Sequence, residues 1–578
     1  MNLRNRCHQK CEININGVHR TELDELIEQV CIYKNINQLN YADITLRNAI
    51  KNNKRQAQKI YAEMQTGDQI IISAVDTTAT ELFEGVLMSI NHQFDQGESI
   101  IVLSIIDRAV KLKGNKNFRI FINKSDEEII HQICDEQEIS LQVDAITPSH
   151  EQLLQYQQTD WSFLLQRAKE TGCFIANNRG QLQIYQPHSS SLQTLEIIID
   201  KYVKYDLSVT INQQIEGCAA YGWSADDQEM VESSTATTTP LKHPLISEKS
   251  AEIAGGSSYK ISSNQPHAVD QLEMTATAKE QLRKLDQIQG TITIPTTEDI
   301  QVGCIACLEG EDHAMQGEMF VGGVMYTYEE HMWISQLQIG LPEVLDQNQD
   351  EALNATFIGI VKALEGDPMG QFRIAVTLPS FQQDDFQVWA RMAHQNATLS
   401  AGSWIIPSVN DEVLLTFLDG KMESPVIIGS LYNKVNTPSD DFILNDDNFI
   451  RGWLSPNKLK IIMDDELNAI TIETTSGNKI TLNDKEESVQ INDMHGNESI
   501  LNKEGISLHA VKDINFTAKA DINLSAAGKL TVEASQDIAI EGMNINHKAA
   551  STLVAEAANL ELKGSGQTII KGGIVMIN

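Results

Sequence analysis

Apolar positions change their spacing several times along the chain, and each change marks a segment. From Ile13 to about Pro187 the pattern is mostly strand, with two helices. Gln69–Val75 (QIIISAV), Gly85–Ile90 (GVLMSI) and Ser99–Ile106 (SIIVLSII) are short, rich in Ile and Val, and bounded by Gly, Asp or Asn, which predicts strands. Ser125-Asp-Glu-Glu128 reads as a capping box with acids in the first turn. The helix it opens carries Ile129, Ile130 and Ile133. A second helix starts near Thr159, places Trp161, Leu164, Leu165 and Ala168 on one buried face, and stops at Gly172. Ser224–Ser263 loses this regularity; with SSTATTTP and GGSS it reads as a long loop or linker. A helix is predicted over Val269–Gln289, ended by Gly290, and short strands resume through Leu341. The polar run Asp346–Asn354 marks a boundary.

Thr356–Asn433 is a compact β unit. Strands alternate with the turn signals Glu365-Gly-Asp-Pro368, Val409-Asn-Asp411 and Asp419-Gly420. Short strands punctuated this closely suit a small closed barrel.

The last block repeats with period eight: DINFTAKA, DINLSAAG, KLTVEASQ and DIAIEGMN follow one another from Asp513. Ile506, Ile514, Ile522, Leu530 and Ile538 form one column, and Leu508, Phe516, Leu524, Val532 and Ile540 a second. A third column, Ala510, Ala518, Ala526, Ala534 and Gly542, is always small, as a crowded bend requires. Apolar residues alternate within each octad, so each octad reads as a strand with one buried face. Eight residues are too few for a full turn of a single-chain β-helix. Three intertwined chains, each giving one strand per face, make a prism with a continuous apolar interior and no sheet edges along its length. The repeat therefore predicts a homotrimer, and about seven octads at ~4.8 Å spacing make a rod on the order of 35 Å long. The register weakens after Gly542, where Ile545, Leu553, Leu560 and Leu562 leave the columns.

Composition narrows the function classes. The chain has 578 residues, room for three to five domains at ~100–200 residues each. Lys plus Arg is 44 and Asp plus Glu is 79, a net charge of −35. That balance argues against coating nucleic acid and against docking on an anionic leaflet. No run approaches the ~20 apolar residues of a transmembrane helix. The N-terminus MNLRNRCHQKCEININ has no apolar run behind its charges, so no signal peptide is expected and synthesis is expected in the cytoplasm. Eight Cys are too sparse for a disulfide framework.

The motifs resemble those of the VgrG family, the spike proteins of contractile injection systems, similar also to the fused hub and needle proteins of phage T4. The barrel carries Trp389-Ala-Arg391, Gly402-Ser403, Pro407, Asp411-Glu-Val-Leu414, Phe417, Asp419-Gly420, Pro425 and Ile428-Gly-Ser-Leu-Tyr-Asn433. Gly477-Asn-Lys-Ile-Thr-Leu482 and Glu504-Gly-Ile506 resemble the strands that lead into the family's needle, and Tyr156-Gln-Gln-Thr-Asp-Trp161 with Phe163-Leu-Leu165 and Gly172 resembles the hub's helix. The resemblance implies a mainly β fold. Residues 1–350 would form barrel-like hub domains with a few helices, and 356–435 an OB-type collar. Strands leading into the needle would occupy 436–504, and the trimeric intertwined β-helix spike 505–578. It further implies a structural role: capping the tail tube, meeting baseplate components, and piercing a target membrane on sheath contraction, with effector cargo carried along. The protein would sit at the tip of an injection particle and be delivered extracellularly or into a target cell. A PAAR-repeat tip protein would dock on the apolar terminus, at Ile570, Gly572, Gly573, Ile574, Val575, Met576, Ile577 and Asn578. Departures are clear as well. Only about 25 residues separate Asn433 from Lys458, too few for the enzyme that phage T4 inserts there.

No enzymatic signature emerges, and no catalytic residue, metal or cofactor is implied. There is no HExxH and no GxSxG, and Gly528-Lys529 is followed by Leu530, not by Ser or Thr. Asp384-Asp385 and Asp464-Asp465 read as turn acids. Cys304-Ile-Ala-Cys307 is a lone CxxC in a strand pattern and reads as packing, since zinc needs four ligands in most structural sites. Cys7-His8 with Cys11 lacks a second pair, and His547 stands alone near the tip. Two other function classes fit the sequence less well. A phage-type tailspike binding or cleaving surface polysaccharide is disfavoured by the eight-residue period. A nucleic-acid-binding barrel is disfavoured by the acidity and by the lack of a Lys/Arg stripe on 356–433.

Overall fold

The computed structural model describes residues 10–49, 64–76, 78–95, 98–143, 149–187, 192–209, 217–224, 229–234, 241–246, 259–266, 269–296, 298–310, 315–342, 356–381, 386–420 and 423–577. It divides into two compact units, Met1–Pro438 and Ser439–Asn578.

Residues 10–342, the expected hub, are built on one 13-stranded sheet. Its antiparallel path runs from Lys204–Val209 through Ile288–Pro295, Met332–Ile339, Glu318–Glu329, Ile27–Asn35 and Tyr41–Ala49. It continues through Glu98–Ile106, Ala79–Asp95, Gln69–Val75 and Lys10–Ile15 to Val18–His19. Thr194–Ile198 and Ile305–Glu309 pair in parallel and join off this path at Glu318–Glu329. Period-two alternation turns Val30, Ile32, Ile44, Leu46, Ile101, Leu103 and Ile105 into one core. The three strands read from sequence are present, the second as the middle of the longer Ala79–Asp95.

Both helices of the first segment form where their caps place them. The Ser125 hydroxyl accepts from Glu128 N at 3.2 Å, and Ser125 N donates to the Glu128 carboxylate at 2.8 Å. Helix Asp126–Glu136 follows, with Ile129, Ile130 and Ile133 buried. Thr159 caps Asp160–Thr171, and Gly172 ends it in the left-handed region at φ 70°. The buried arc is rotated from the expected one: Phe163 is inside, stacked on Phe121 with centroids 5.8 Å apart, and Leu165 sits at its margin, partly buried.

Two expectations are corrected. Helix Val269–Leu285 stops four residues early, because the chain enters strand Ile288–Pro295. Asp286 fastens that transition by accepting from Leu341 N and from the Gln289 amide. Gly290 is therefore a strand residue opposite Leu207, at φ 139°; a Cβ there would stand 2.0 Å from the Asp206 carbonyl oxygen. Ser224–Ser263 is not uniformly loop. Glu229–Glu232 and Tyr259–Pro266 flank Cys218–Ser224 in a small sheet, which packs on the helix through Cys218, Ala220, Leu272 and Ala276. Most of SSTATTTP, all of GGSS, and Asp346–Asn354 lie outside the described residues.

The expected collar is a closed five-stranded barrel in the order Phe357–Ala363, Ile374–Thr377, Val388–Met392, Pro425–Leu431, Glu412–Phe417. Its expected turns are there, with Asn410 at φ 73° and Gly420 at φ 68°. Asp367 organises the first, accepting from the backbone N–H groups of Met369, Gln371 and Arg373. Burial pushes the Asp367 carboxyl up, but Arg373 and these amides overcome it and hold the group down to about 2.

An antiparallel pair of hub strands, Lys116–Ser125 with Ser149–Thr159, packs on this barrel. Ile120 and Leu154 share the core of Val361, Val376 and Leu415. Polar contacts surround them. Arg373 forks onto Glu151 at 2.9 and 2.8 Å, and Arg167, held by Asp126 at 2.7 and 3.1 Å, reaches Glu423 at 3.4 Å.

Candidate functional site: an apolar face that runs into the repeat

The second unit holds seven five-residue strands, and four of them, AITIE, KITLN, SVQIN and GISLH, strictly alternate apolar and polar side chains. The seven are Ile450–Leu454, Lys460–Asp464, Ala469–Glu473, Lys479–Asn483, Ser488–Asn492, Glu498–Asn502 and Gly505–His509, and they form one antiparallel meander. Short polar turns fix the register. Asp464 accepts from Glu466 N and Leu467 N at 2.9 Å, and Asp493 from His495 N and Asn497 N at 2.8 and 2.9 Å. Asn468 and Glu487 take positive φ of 50° and 49° where the chain reverses.

That register aligns the apolar residues. Trp453, Ile461, Ile472, Ile480 and Ile491 lie opposite one another in one row. Met463, Ile470, Leu482, Val489, Leu501 and Ile506 form a second. Opposed residues share a face, as do alternate residues of a strand, so both rows lie on the same side. The other side carries Lys460, Thr471, Thr481, Gln490, Glu498 and Ser507, with Ile462 and Ile500 among them. Within one chain the apolar face is uncovered: Trp453 is 56% and Ile506 73% exposed. Sequence reading recognised only two pieces of this region. The signal for the rest was present as strict alternation in strands such as AITIE and SVQIN.

Ile506 and Leu508, the first members of the two repeat columns, belong to the meander's last strand. Beyond it the chain bends at 511–512, 519–520, 527–528 and 535–536, every eight residues. Ala510, Ala518, Ala526 and Ala534 each stand immediately before a bend. The stretches 513–518, 521–526, 529–534 and 537–542 lie between bends, and no strand ladder joins the described residues after His509. Ile514, Phe516, Ile522, Leu524, Leu530, Val532, Ile538 and Ile540 are all exposed, Phe516 at 71%. At the end Ile570, Ile574, Val575, Met576 and Ile577 are exposed, Ile577 at 88%. A Cβ on Gly572 would stand 3.1 Å from the Ile574 carbonyl oxygen, and one on Gly573 would meet open space. Asn578 lies outside the described residues.

The chemistry-bearing candidates are dispersed. Cys304 is part of the hub core, where burial pushes its thiol up to about 12, and Cys307 is half-buried. Cys11 is buried; Cys7, His8 and Asp384-Asp385 lie outside the described residues. Asp464 holds a turn and Asp465 pairs with Arg451. No helix among the described residues is long and apolar enough to cross a membrane.

Residues 8–330, more than half of the chain, match the family described as the Alg8 N-terminal domain. Residues 357–432 match the Type VI secretion system/phage-baseplate injector OB domain. Among solved structures, the lidless PdpA-VgrG complex is similar at 12% identity and TM-score 0.53, over 86% of this chain and 98% of that one. The lidded Francisella PdpA-VgrG complex is similar at 12% identity and TM-score 0.53, over 87% and 80%. An E. coli type VI secretion component described as similar to phage T4 tail proteins aligns at 13% identity and TM-score 0.44, over 72% and 99%. No curated protein matches the sequence. The VgrG likeness is one of fold: a mainly β hub, few helices and a closed OB-type barrel.

Proposed function

We propose, for a chain that belongs to the Alg8 N-terminal domain family and carries an injector OB domain, that it is the trimeric hub and spike of a contractile injection machine. One observation carries the reading. Two apolar rows on the meander, the first passing through Ser499, lead at Leu508 and Ile506 into two apolar columns of an eight-residue repeat, and one chain leaves all of these apolar residues but Met463 exposed. Exposed apolar area on this scale needs a cover. Three copies wound about one axis would cover it, since each chain would turn its rows and columns inward and the prism would have no side edge. The stiff rod this makes would be driven through a target membrane when the sheath contracts, with the hub seated on the tail tube among baseplate components.

The same logic extends to the tip. Ile574–Ile577 would present three apolar strand ends at the rod's terminus, a surface that invites a cap. A PAAR-type cone protein is the cap proposed for Ile570–Asn578, with effector cargo attached to the spike or to its cone. Light scattering tests the assembly: a particle of three times 64.3 kDa is expected, and a stable folded monomer refutes it. Deleting Ile574–Asn578 tests the tip, because the trimer should survive and co-purification of the cone should be lost.

A further inference from the structure

Gln152, in the hub strand Ser149–Thr159, is only 6% exposed, and its side-chain amide is spent entirely on the collar. Its oxygen accepts from Trp389 N at 2.9 Å. Its nitrogen donates to Trp389 O at 3.2 Å and to Glu423 O at 3.1 Å. The barrel explains why those groups are free to be bonded. Strands Val388–Met392 and Pro425–Leu431 run parallel, yet pair only at Arg391 with Val426 and Met392 with Ile427. Toward Val388 a seam is left, and Trp389 faces Ala375 on its other side. A primary amide carries the same donor and acceptor as a peptide group. Gln152 thus stands where a further pair of the ladder would stand.

The neighbouring contacts land on the same side of the barrel. Glu151 forks Arg373, just before strand Ile374–Thr377; Gln152 takes Val388–Met392; Arg167 and Gln152 both reach Glu423, in the loop before Pro425–Leu431. The second and third strands, with the loops beside them, are where barrels of this architecture bind oligonucleotides and oligosaccharides. We infer that this antiparallel strand pair of the hub is the collar's built-in ligand: Gln152 closes the barrel seam, the face is closed to an external polymer, and hub and collar move as one piece.

Hydrogen exchange read residue by residue on the full-length protein tests this. In the wild type the Trp389 amide should exchange at least a hundredfold more slowly than a free peptide. In Gln152→Ala it should exchange at least tenfold faster than in the wild type, with Gln69–Val75 unchanged. Gln152→Glu, which removes the donor and sets a carboxylate against two carbonyls, should loosen the seam similarly. An unprotected Trp389 amide in the wild type overturns the inference whether or not the variants fold. So does equal acceleration across the whole hub, or displacement of the Trp389 protection by oligothymidylate or a chitin oligosaccharide.

Discussion

Tyr156 meets Phe357 edge to face with ring centroids 4.7 Å apart, joining the hub strand Ser149–Thr159 to the first strand of the collar barrel. Phe381 lies 5.2 Å from the same tyrosine and Phe417 5.1 Å from the same phenylalanine. The aromatic group closes one end of the barrel core with a residue from far upstream. Force on the hub therefore reaches the collar through packed rings and ion pairs as well as through the linking chain.

Truncating this contact should weaken the joint. Tyr156→Ala removes the ring from Phe118, Phe357 and Phe381. A loss of about 2–3 kcal/mol is expected from denaturant unfolding of the hub and collar. Tyr156→Phe keeps the ring and should stay within about 1 kcal/mol of the wild type.

Acid should act on the collar through Asp367. Its folded pKa, about 2, lies below the ordinary 3.8, so its contribution is complete above the unfolded value and lost as pH falls through the folded one. Asp367→Asn should cost about 2 kcal/mol at pH 7, and the difference from wild type should shrink toward zero by pH 2. A gap that stays constant between pH 5 and pH 2 would show that Arg373 and the turn amides do not set this carboxyl.

Gly172 should tolerate no side chain. Its φ is 70°, and a Cβ there would stand 2.7 Å from the Cβ of Ala278 on helix Val269–Leu285. Gly172→Ala combines left-handed strain with overpacking, so thermal unfolding should report a loss of about 2–3 kcal/mol. An unchanged melting temperature would mean that the two helices are not in contact at this glycine.

The repeat columns can be tested at Phe516. In the proposed trimer Phe516→Asp sets three carboxylates around one axis, each costing several kcal/mol to bury unpaired. The hub should still fold while the rod disappears from electron micrographs. An intact rod with an unchanged melting profile would place Phe516 outside the core.

Local signals were the most legible. The Ser125 capping box, the Thr159 cap and the Gly172 stop are set by hydrogen bonds within a turn or by the φ of one residue, so the sequence alone locates them. The barrel turns at Asp367, Asn410 and Gly420 belong to the same class. The octad period was equally plain, and the bends before which Ala510, Ala518, Ala526 and Ala534 stand recur at that spacing. Where neighbours distant in sequence decide, local reading fell short. Gly290 looked like a helix stop, but it answers to the close approach of Asp206 on another strand. Leu165 and Phe163 exchanged places because the helix is packed by Phe121 on strand Lys116–Ser125, which its own periodicity does not reveal.

Alternation and period, then, determined which segments are strand, helix or repeat, since those patterns record which side of a short element avoids water. The union of Gln152 with Trp389, the ring contact of Tyr156 with Phe357, and the alignment of Trp453 through Ile491 into one row were decided only by the tertiary structure. Each depends on strand register and chain crossing, and a local pattern is the same for many registers until packing selects one.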